Sequence, residues 1–326
     1  MELICPAGTP AALRTAVEAG ADGIYCGFSD ETNARNYPGL NFSREEMRAG
    51  IAFARARGVK TLVAVNTFPR AGATAIWEKA VDDAVALSAD AVILADIGLL
   101  DYAARAHPRQ RLHLSVQAAA SNPDSIRFYV ENFGVRRVVL PRVLTVSEIA
   151  AISREVHCEI EVFAFGGLCV MAEGRCALSS YATGRSPNMH GVCSPASHVN
   201  YWGENDGALV SRLGEFTINR FEAREPAAYP TLCKGRFNAG KGADYLFEEP
   251  ASLDATAALP ALRGAGVTAL KIEGRQRSRA HVEKVVGTFR RALAALEAGR
   301  AFDARELIAL TEGRRATLGA YRKTWR

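Results

Sequence analysis

One arrangement recurs along this chain and limits its fold more than any other feature. A helical stretch ends on a small or glycine-rich step, and a short apolar, β-branched run begins at once. The step reads Gly20-Ala-Asp-Gly-Ile, Arg57-Gly-Val, Ser88-Ala-Asp-Ala-Val, Phe133-Gly-Val and Gly264-Ala-Gly-Val. Glycine just past a helix takes the left-handed backbone that stops it, so each step marks a helix-to-strand boundary. The runs predict strands at Leu3–Cys5, Gly23–Cys26, Thr61–Asn66, Ala91–Ala95, Leu112–Gln117, Arg137–Leu140 and Ile160–Phe165. Helices are expected between them, such as Ser43–Arg57, where Ser43 and Glu46 spell a capping box. After the last step comes an eighth expected strand, Thr268–Ile272, and then a long helix, His281–Glu297. Eight such units predict an α/β protein, a closed (β/α)8 TIM-barrel-like domain over residues 1–326, with an open doubly wound sheet as the alternative.

Between the seventh and eighth strands, roughly 166–265, the β/α period disappears, and this insertion holds Cys169, Cys176, Cys193 and Cys233. Gly264-Ala-Gly266-Val-Thr-Ala269 spells the dinucleotide fingerprint G-x-G-x-x-A, but that motif must follow a strand and open a helix. Here the order is reversed, and the step is read as a helix stop.

The composition, 48% hydrophobic and 23% charged over 326 residues, supplies a large core without disulfides. A formal charge of +5 is too mild to announce a nucleic-acid protein, so no nucleic acid is expected as partner, and it weakly favours anionic ligands. The opening Met1-Glu-Leu-Ile-Cys-Pro-Ala-Gly lacks the pattern of a signal peptide, and the apolar run Ala91–Leu100, broken by Asp96, is too short to span a membrane. With an odd count of seven cysteines, the expectation is a cytoplasmic protein with no transmembrane segment.

The four insertion cysteines sit in polar, glycine-rich surroundings such as Phe165-Gly-Gly-Leu-Cys and Thr231-Leu-Cys-Lys-Gly. Glycines let backbone approach the sulfides of an iron-sulfur cluster and donate N–H bonds to them. Structural zinc usually takes C-x2-C knuckles, which are absent. Small buried thiols and a reactive thiol are the remaining readings. Cys5, Cys26 and Cys158 fall in or just before expected strands and read as core. His190 and His198 flank Cys193 and read as surface side chains or as tuners of a metal.

The segment Glu161-Val-Phe-Ala-Phe-Gly-Gly-Leu-Cys169-Val-Met-Ala-Glu-Gly-Arg-Cys176-Ala-Leu-Ser179 resembles the signature of the U32 family, once labelled peptidases or collagenases. Gly167 stands where that signature usually has Ser or Ala. Met1-Glu-Leu-Ile-Cys-Pro-Ala-Gly8, Asp30-Glu-Thr-Asn-Ala-Arg35, Gly39-Leu-Asn-Phe42, Tyr229-Pro-Thr-Leu-Cys-Lys-Gly-Arg236, Lys271-Ile-Glu-Gly-Arg-Gln-Arg-Ser278 and Thr317-Leu-Gly-Ala-Tyr321 resemble in particular its members in ubiquinone biosynthesis. The resemblance implies a [4Fe-4S] cluster on Cys169, Cys176, Cys193 and Cys233, and a heterodimer with a UbiV-like U32 homologue. It implies oxygen-independent hydroxylation of a ubiquinone-precursor phenol, with prephenate as hydroxyl donor. Other U32 members hydroxylate tRNA or rRNA bases, which makes an RNA base hydroxylase the alternative. The older peptidase label finds no H-E-x-x-H and no G-x-S-x-G here, and a binding or scaffold protein with a structural cluster is a further reading.

Barrel active sites lie at the C-terminal ends of the strands. That points to Asn66, Asp96, Gln117, Arg142, Lys271, Glu273 and Arg275, with Arg35 on the loop after the second strand. His113, Ser115 and Gln117 alternate and are expected to face the same way. Arg142, Lys271 and Arg275 together would suit a small dicarboxylate or would pair with acids at the rim. No catalytic residue is assigned. The basic end, Arg314-Arg315 through Arg322-Lys323 to Arg326, reads as a solvated tail or a partner contact.

Overall fold

The computed structural model describes residues 1–190, 192–240 and 242–322. Seven strands come first: β1 (Glu2–Pro6), β2 (Gly23–Gly27), β3 (Lys60–Val65), β4 (Ala91–Leu94), β5 (Leu112–Leu114), β6 (Val135–Val139) and β7 (Glu159–Gly167). Each is parallel to the next. Six of them are followed by helices: α1 (Pro10–Glu18), α2 (Arg44–Arg55), α3 (Thr74–Ala86), α4 (Ile97–Ala106), α5 (Pro123–Phe133) and α6 (Val146–Glu155).

The insertion follows β7. It carries the short helices α7 (Leu178–Thr183) and α8 (Pro187–His190) and an antiparallel sheet of β8 (Val199–Gly203), β9 (Leu209–Leu213) and β10 (Phe216–Phe221). A small pair, β11 (Arg236–Asn238) and β12 (Ala243–Tyr245), comes next, and then β13 (Ser252–Asp254), antiparallel to the end of β7. Helix α9 (Leu259–Gly264) leads into β14 (Ala269–Ile272), which pairs in parallel with both β1 and β7. That double pairing closes an eight-stranded parallel barrel and removes the open-sheet alternative. Helix α10 (Arg279–Glu297) follows, packing against α1. The chain then returns through β15 (Ala316–Thr317), paired with β13, and the Tyr321 hydroxyl donates to the Phe163 carbonyl at 2.6 Å. Lys323 and Arg326 of the basic end lie outside the described residues.

Local chemistry sets these boundaries. Ser43 and Glu46 form the expected capping box on α2, and Thr145 and Glu148 form a second on α6. Gly134, at φ 65°, stops α5 in the left-handed conformation. The Gly264–Ala269 step lies between α9 and β14, as its helix-stop reading requires. Among the described residues no helix is long and apolar enough to cross a membrane.

Two expectations are corrected. The fifth strand ends at Leu114, because the Ser115 hydroxyl accepts the N–H of Gln117 and turns the chain into a single 3-10 turn, Val116–Ala118. Gln117 therefore sits on the barrel mouth and does not continue the strand alternation. Asp96 caps α4, accepting the Leu99 N–H at 3.0 Å, so its carboxylate serves a helix end rather than the site.

Alternation splits the core. Outward-facing residues such as Leu3, Cys5, Ile24 and Cys26 pack under the helices, while Ile4, Tyr25, Leu62, Ala64, Ala91, Ile93 and Ala269 form a separate cluster within the barrel. The opposite interior wall is charged. Arg137 pairs with Glu2, Glu159 and Glu161, and Glu161 also receives the Lys271 ammonium at 2.6 Å. Glu161 is 1% exposed, so Lys271 relies on a carboxylate that water cannot replace, and Arg137 shares it along with Glu2 and Glu159.

Glu161→Ala is expected to destabilise the protein by about 3–5 kcal/mol in urea unfolding, since it strips Lys271 of its carboxylate inside the barrel, while Arg137 keeps Glu2 and Glu159. At Gly8 a Cβ would stand 1.8 Å from the Arg275 carbonyl oxygen. Gly8→Ala is expected to push the turn after β14 away and to cost roughly 1–3 kcal/mol in the same measurement.

Candidate functional site

The C-terminal ends of the strands enclose a cavity of about 70 Å³ whose walls carry Arg35, Asn66, Gln117, Arg142, Lys271, Glu273 and Arg275. The loop after β2 is strapped across the mouth. The Ala34 N–H donates to Asn66 Oδ1 at 3.1 Å, and Asn66 Nδ2 donates to Ser115 Oγ at 3.2 Å. These two bonds fix Arg35 above the barrel. Its Nη2 donates to Glu273 Oε1 at 3.0 Å.

Arg142, on the loop after β6, is the most connected group of the site. Nη1 donates to Glu173 Oε1 at 2.8 Å and to the sulfur of Cys169 at 3.1 Å, and Nη2 donates to Glu273 Oε2 at 3.0 Å. The guanidinium lies 3.6 Å from the centre of the Phe163 ring. Burial works to raise the Glu273 carboxyl, yet Arg142 and Arg35 outweigh it and hold Glu273 below the usual range. Glu173 goes the other way: burial raises it more than Arg142 lowers it. Glycines make room for this arrangement. A Cβ on Gly166 would stand 2.7 Å from Glu273 Cβ, and one on Gly167 would stand 2.9 Å from Glu273 Oε2. Gly174, at φ 79°, lets its loop lie against the Gln117 carbonyl, 1.9 Å from where a Cβ would be.

Lys271 is held by Glu161, and its ammonium lies 3.9 Å from the centre of the Tyr25 ring. Arg275 Nη1 donates to Asn33 Oδ1 at 2.6 Å. Among the described residues, three buried polar atoms of the walls have no hydrogen-bond partner: Gln117 Oε1, Arg142 Nε and Glu173 Oε2. In a folded protein such atoms call for a ligand or water.

The four insertion cysteines gather beside this cavity. Cys169 follows β7, Cys176 precedes α7, and Cys233 lies in the turn Leu232–Lys234. Their supports are local and specific. Asn188 donates to the Cys176 carbonyl at 2.9 Å, Tyr229 donates to the Ser194 carbonyl at 3.0 Å, and buried Lys234 reaches the Ala251 carbonyl and Glu312. The thiols sense one another electrostatically: Cys193 acts on Cys169 and on Cys233, and Cys176 acts on both Cys193 and Cys233. Burial, the dominant cause, pushes Cys169 and Cys193 upward and Cys233 to about 12. Among the described residues, no three His, Cys, Asp or Glu side chains come close enough to hold a single metal ion. His198 is bound to Ser197 Oγ at 3.0 Å, and His190 ends α8.

Sequence reasoning missed Glu173, Glu161, Asn33 and Tyr25. Glu161 carried a readable signal, because Glu159 and Glu161 share a face of an otherwise apolar run. Glu173 lies between two of the cysteines in the quoted signature segment. Asn33 and Tyr25 gave none, since only the closed barrel brings them to β14.

Comparison with known proteins places this geometry. The profile of Peptidase family U32 matches residues 8–321. The chain is 32% identical to the tRNA hydroxylation protein P of Escherichia coli (strain K12), over 96% of this chain and 72% of that protein. It is 31% identical to the tRNA hydroxylation protein P1 of Bacillus subtilis (strain 168), over 90% of this chain and 63% of that one. Similarity to the 23S rRNA 5-hydroxycytidine C2501 synthase of Escherichia coli (strain K12) is 29%, covering 91% of this chain and 40% of the synthase. Among solved structures, the U32 peptidase Mk0906 aligns with a TM-score of 0.43 at 19% identity, covering 50% of this chain and 68% of that one. The family match over almost the whole length, together with these relatives, shows that the chain belongs to Peptidase family U32.

Proposed function

We propose that this chain is the iron-sulfur subunit of an oxygen-independent hydroxylase that places a hydroxyl group on an aromatic ring carbon. The observation that carries the reading is the position of Arg142, whose one guanidinium touches the sulfur of Cys169 and both carboxylates that wall the cavity. The residues present fit a [4Fe-4S] cluster on Cys169, Cys176, Cys193 and Cys233. Four sulfurs make a soft donor set. The Arg142 N–H that donates to the Cys169 sulfur is suited to a ligating thiolate. When bound, the cluster supplies electron transfer beside the cavity. The chain's own residues line the cavity, and Glu273 and Asn66 hold its walls in register.

The substrate we propose is the phenol ring of a ubiquinone precursor, with prephenate as hydroxyl donor and a UbiV-like U32 homologue completing a cytoplasmic heterodimer. The motifs running from Met1–Gly8 to Thr317–Tyr321 support that choice. A second reading, hydroxylation of an RNA base, is favoured by the names of the relatives, which are tRNA hydroxylation proteins and an rRNA hydroxycytidine synthase.

Purified without oxygen, the chain is expected to be brown and to contain about four irons and as many sulfides. Cys176→Ala is expected to lose both the colour and most of the iron. A colourless chain with zinc or no metal would sink the cluster. Incubated under nitrogen with its partner, prephenate and either a ubiquinone-precursor phenol or RNA, the enzyme is expected to add one oxygen to the phenol, read by mass spectrometry. Oxygen appearing only on an RNA base would establish the second reading instead.

A further inference from the structure

The charges around the cavity do not balance. Arg35 has Glu273, Arg142 has Glu173 and Glu273, and Lys271 has Glu161. Arg275 is 6% exposed and lines the same cavity, yet among the described residues it has no carboxylate partner. Its guanidinium donates to the neutral Asn33 amide, and the Tyr25 ring centre lies 5.5 Å from its Cζ. Burial pulls the guanidinium down to about 10, more than Tyr25, Tyr37 and Cys26 raise it, and Arg35 adds to the fall. A buried cation left in this state is costly unless something anionic completes it.

We propose that Arg275, oriented by Asn33, is the anchor for a carboxylate in this cavity, and that the cavity takes one carboxylate and not two. The assignment rests on the hydroxylase reading only in taking this cavity as the site of a reactant. Asn33 is built to position the anchor. Its Oδ1 accepts from Arg275 Nη1 and from the Arg35 N–H, and its Nδ2 donates to the Phe28 carbonyl at 3.1 Å, which fixes which way the amide points. Gly27 leaves the space it needs, since a Cβ there would stand 2.5 Å from Asn33 Cγ. One N–H of the guanidinium fork is spent on Asn33, and the rest are left for a planar oxyanion. The limit of one follows from the partners: every other cation of the walls already faces a carboxylate.

The test is calorimetric titration of the anaerobically purified full-length chain with pyruvate, malonate and inorganic phosphate, alongside iron content and melting temperature. Pyruvate is expected to bind, and malonate to bind no more than about threefold tighter. Arg275→Gln is expected to weaken pyruvate by tenfold or more, the scale of one charge-assisted hydrogen bond. Arg275→Lys is expected to recover part of that loss, and Asn33→Ala to weaken binding with iron content unchanged. Wild type that binds no carboxylate, an Arg275→Gln variant that binds like wild type, malonate binding tenfold tighter than pyruvate, or phosphate binding in preference would each overturn the proposal. Should Arg275→Gln fail to fold, Asn33→Ala and a crystal of the wild-type chain soaked in pyruvate decide the matter, since the carboxylate is expected on Arg275 and its absence there would overturn the anchor. Failure of hydroxylation with pyruvate binding intact would count against the hydroxylase reading and leave the anchor standing.

Discussion

The site depends on a buried guanidinium that does three jobs at once. Arg142 holds Glu173 and Glu273, donates to Cys169 and lies on the Phe163 ring, with its side chain 3% exposed. From the loop after β6, these contacts reach β7 at Phe163, the cysteine loop after it at Cys169 and Glu173, and the turn after β14 at Glu273. A lysine in its place would offer a point charge and could not meet three directions in one plane. The insertion and the barrel therefore meet at this residue, and the cysteines are placed relative to the cavity through it.

Below that level the barrel interior is held by charge as much as by apolar packing. Ile4, Leu62, Ala91 and Ile93 fill one side, while Arg137, Glu161 and Lys271 fill the other. Buried ion pairs add little to net stability because desolvation offsets their attraction, but removing one partner is expensive. The column thus acts as a constraint on position. Lys271 is held between the Glu161 carboxylate and the Tyr25 ring.

The barrel is legible in the sequence because its determinants are local. Gly steps, caps and apolar runs lie within a few residues of each other, and the eight strands they mark are the eight the structure closes. The fifth strand reads too long because a single hydroxyl, Ser115 Oγ, ends it, and that bond leaves the alternation His113, Ser115, Gln117 intact in the sequence. Asp96 looks like a mouth residue because it follows a strand, and a helix cap occupies the same place in the chain. The sheet of β8, β9 and β10 is not legible, since its strands follow no β/α period. The cavity residues at strand ends follow from the barrel pattern, whereas Asn33 and Glu173 reach the site through loop contacts that spacing does not encode.

Anomalous diffraction at the iron edge, from crystals of the anaerobically purified chain, tests the central claim most directly. The account predicts one compact group of iron peaks enclosed by Cys169, Cys176, Cys193 and Cys233. Iron elsewhere, or the four thiols intact with no anomalous peak between them, would contradict it.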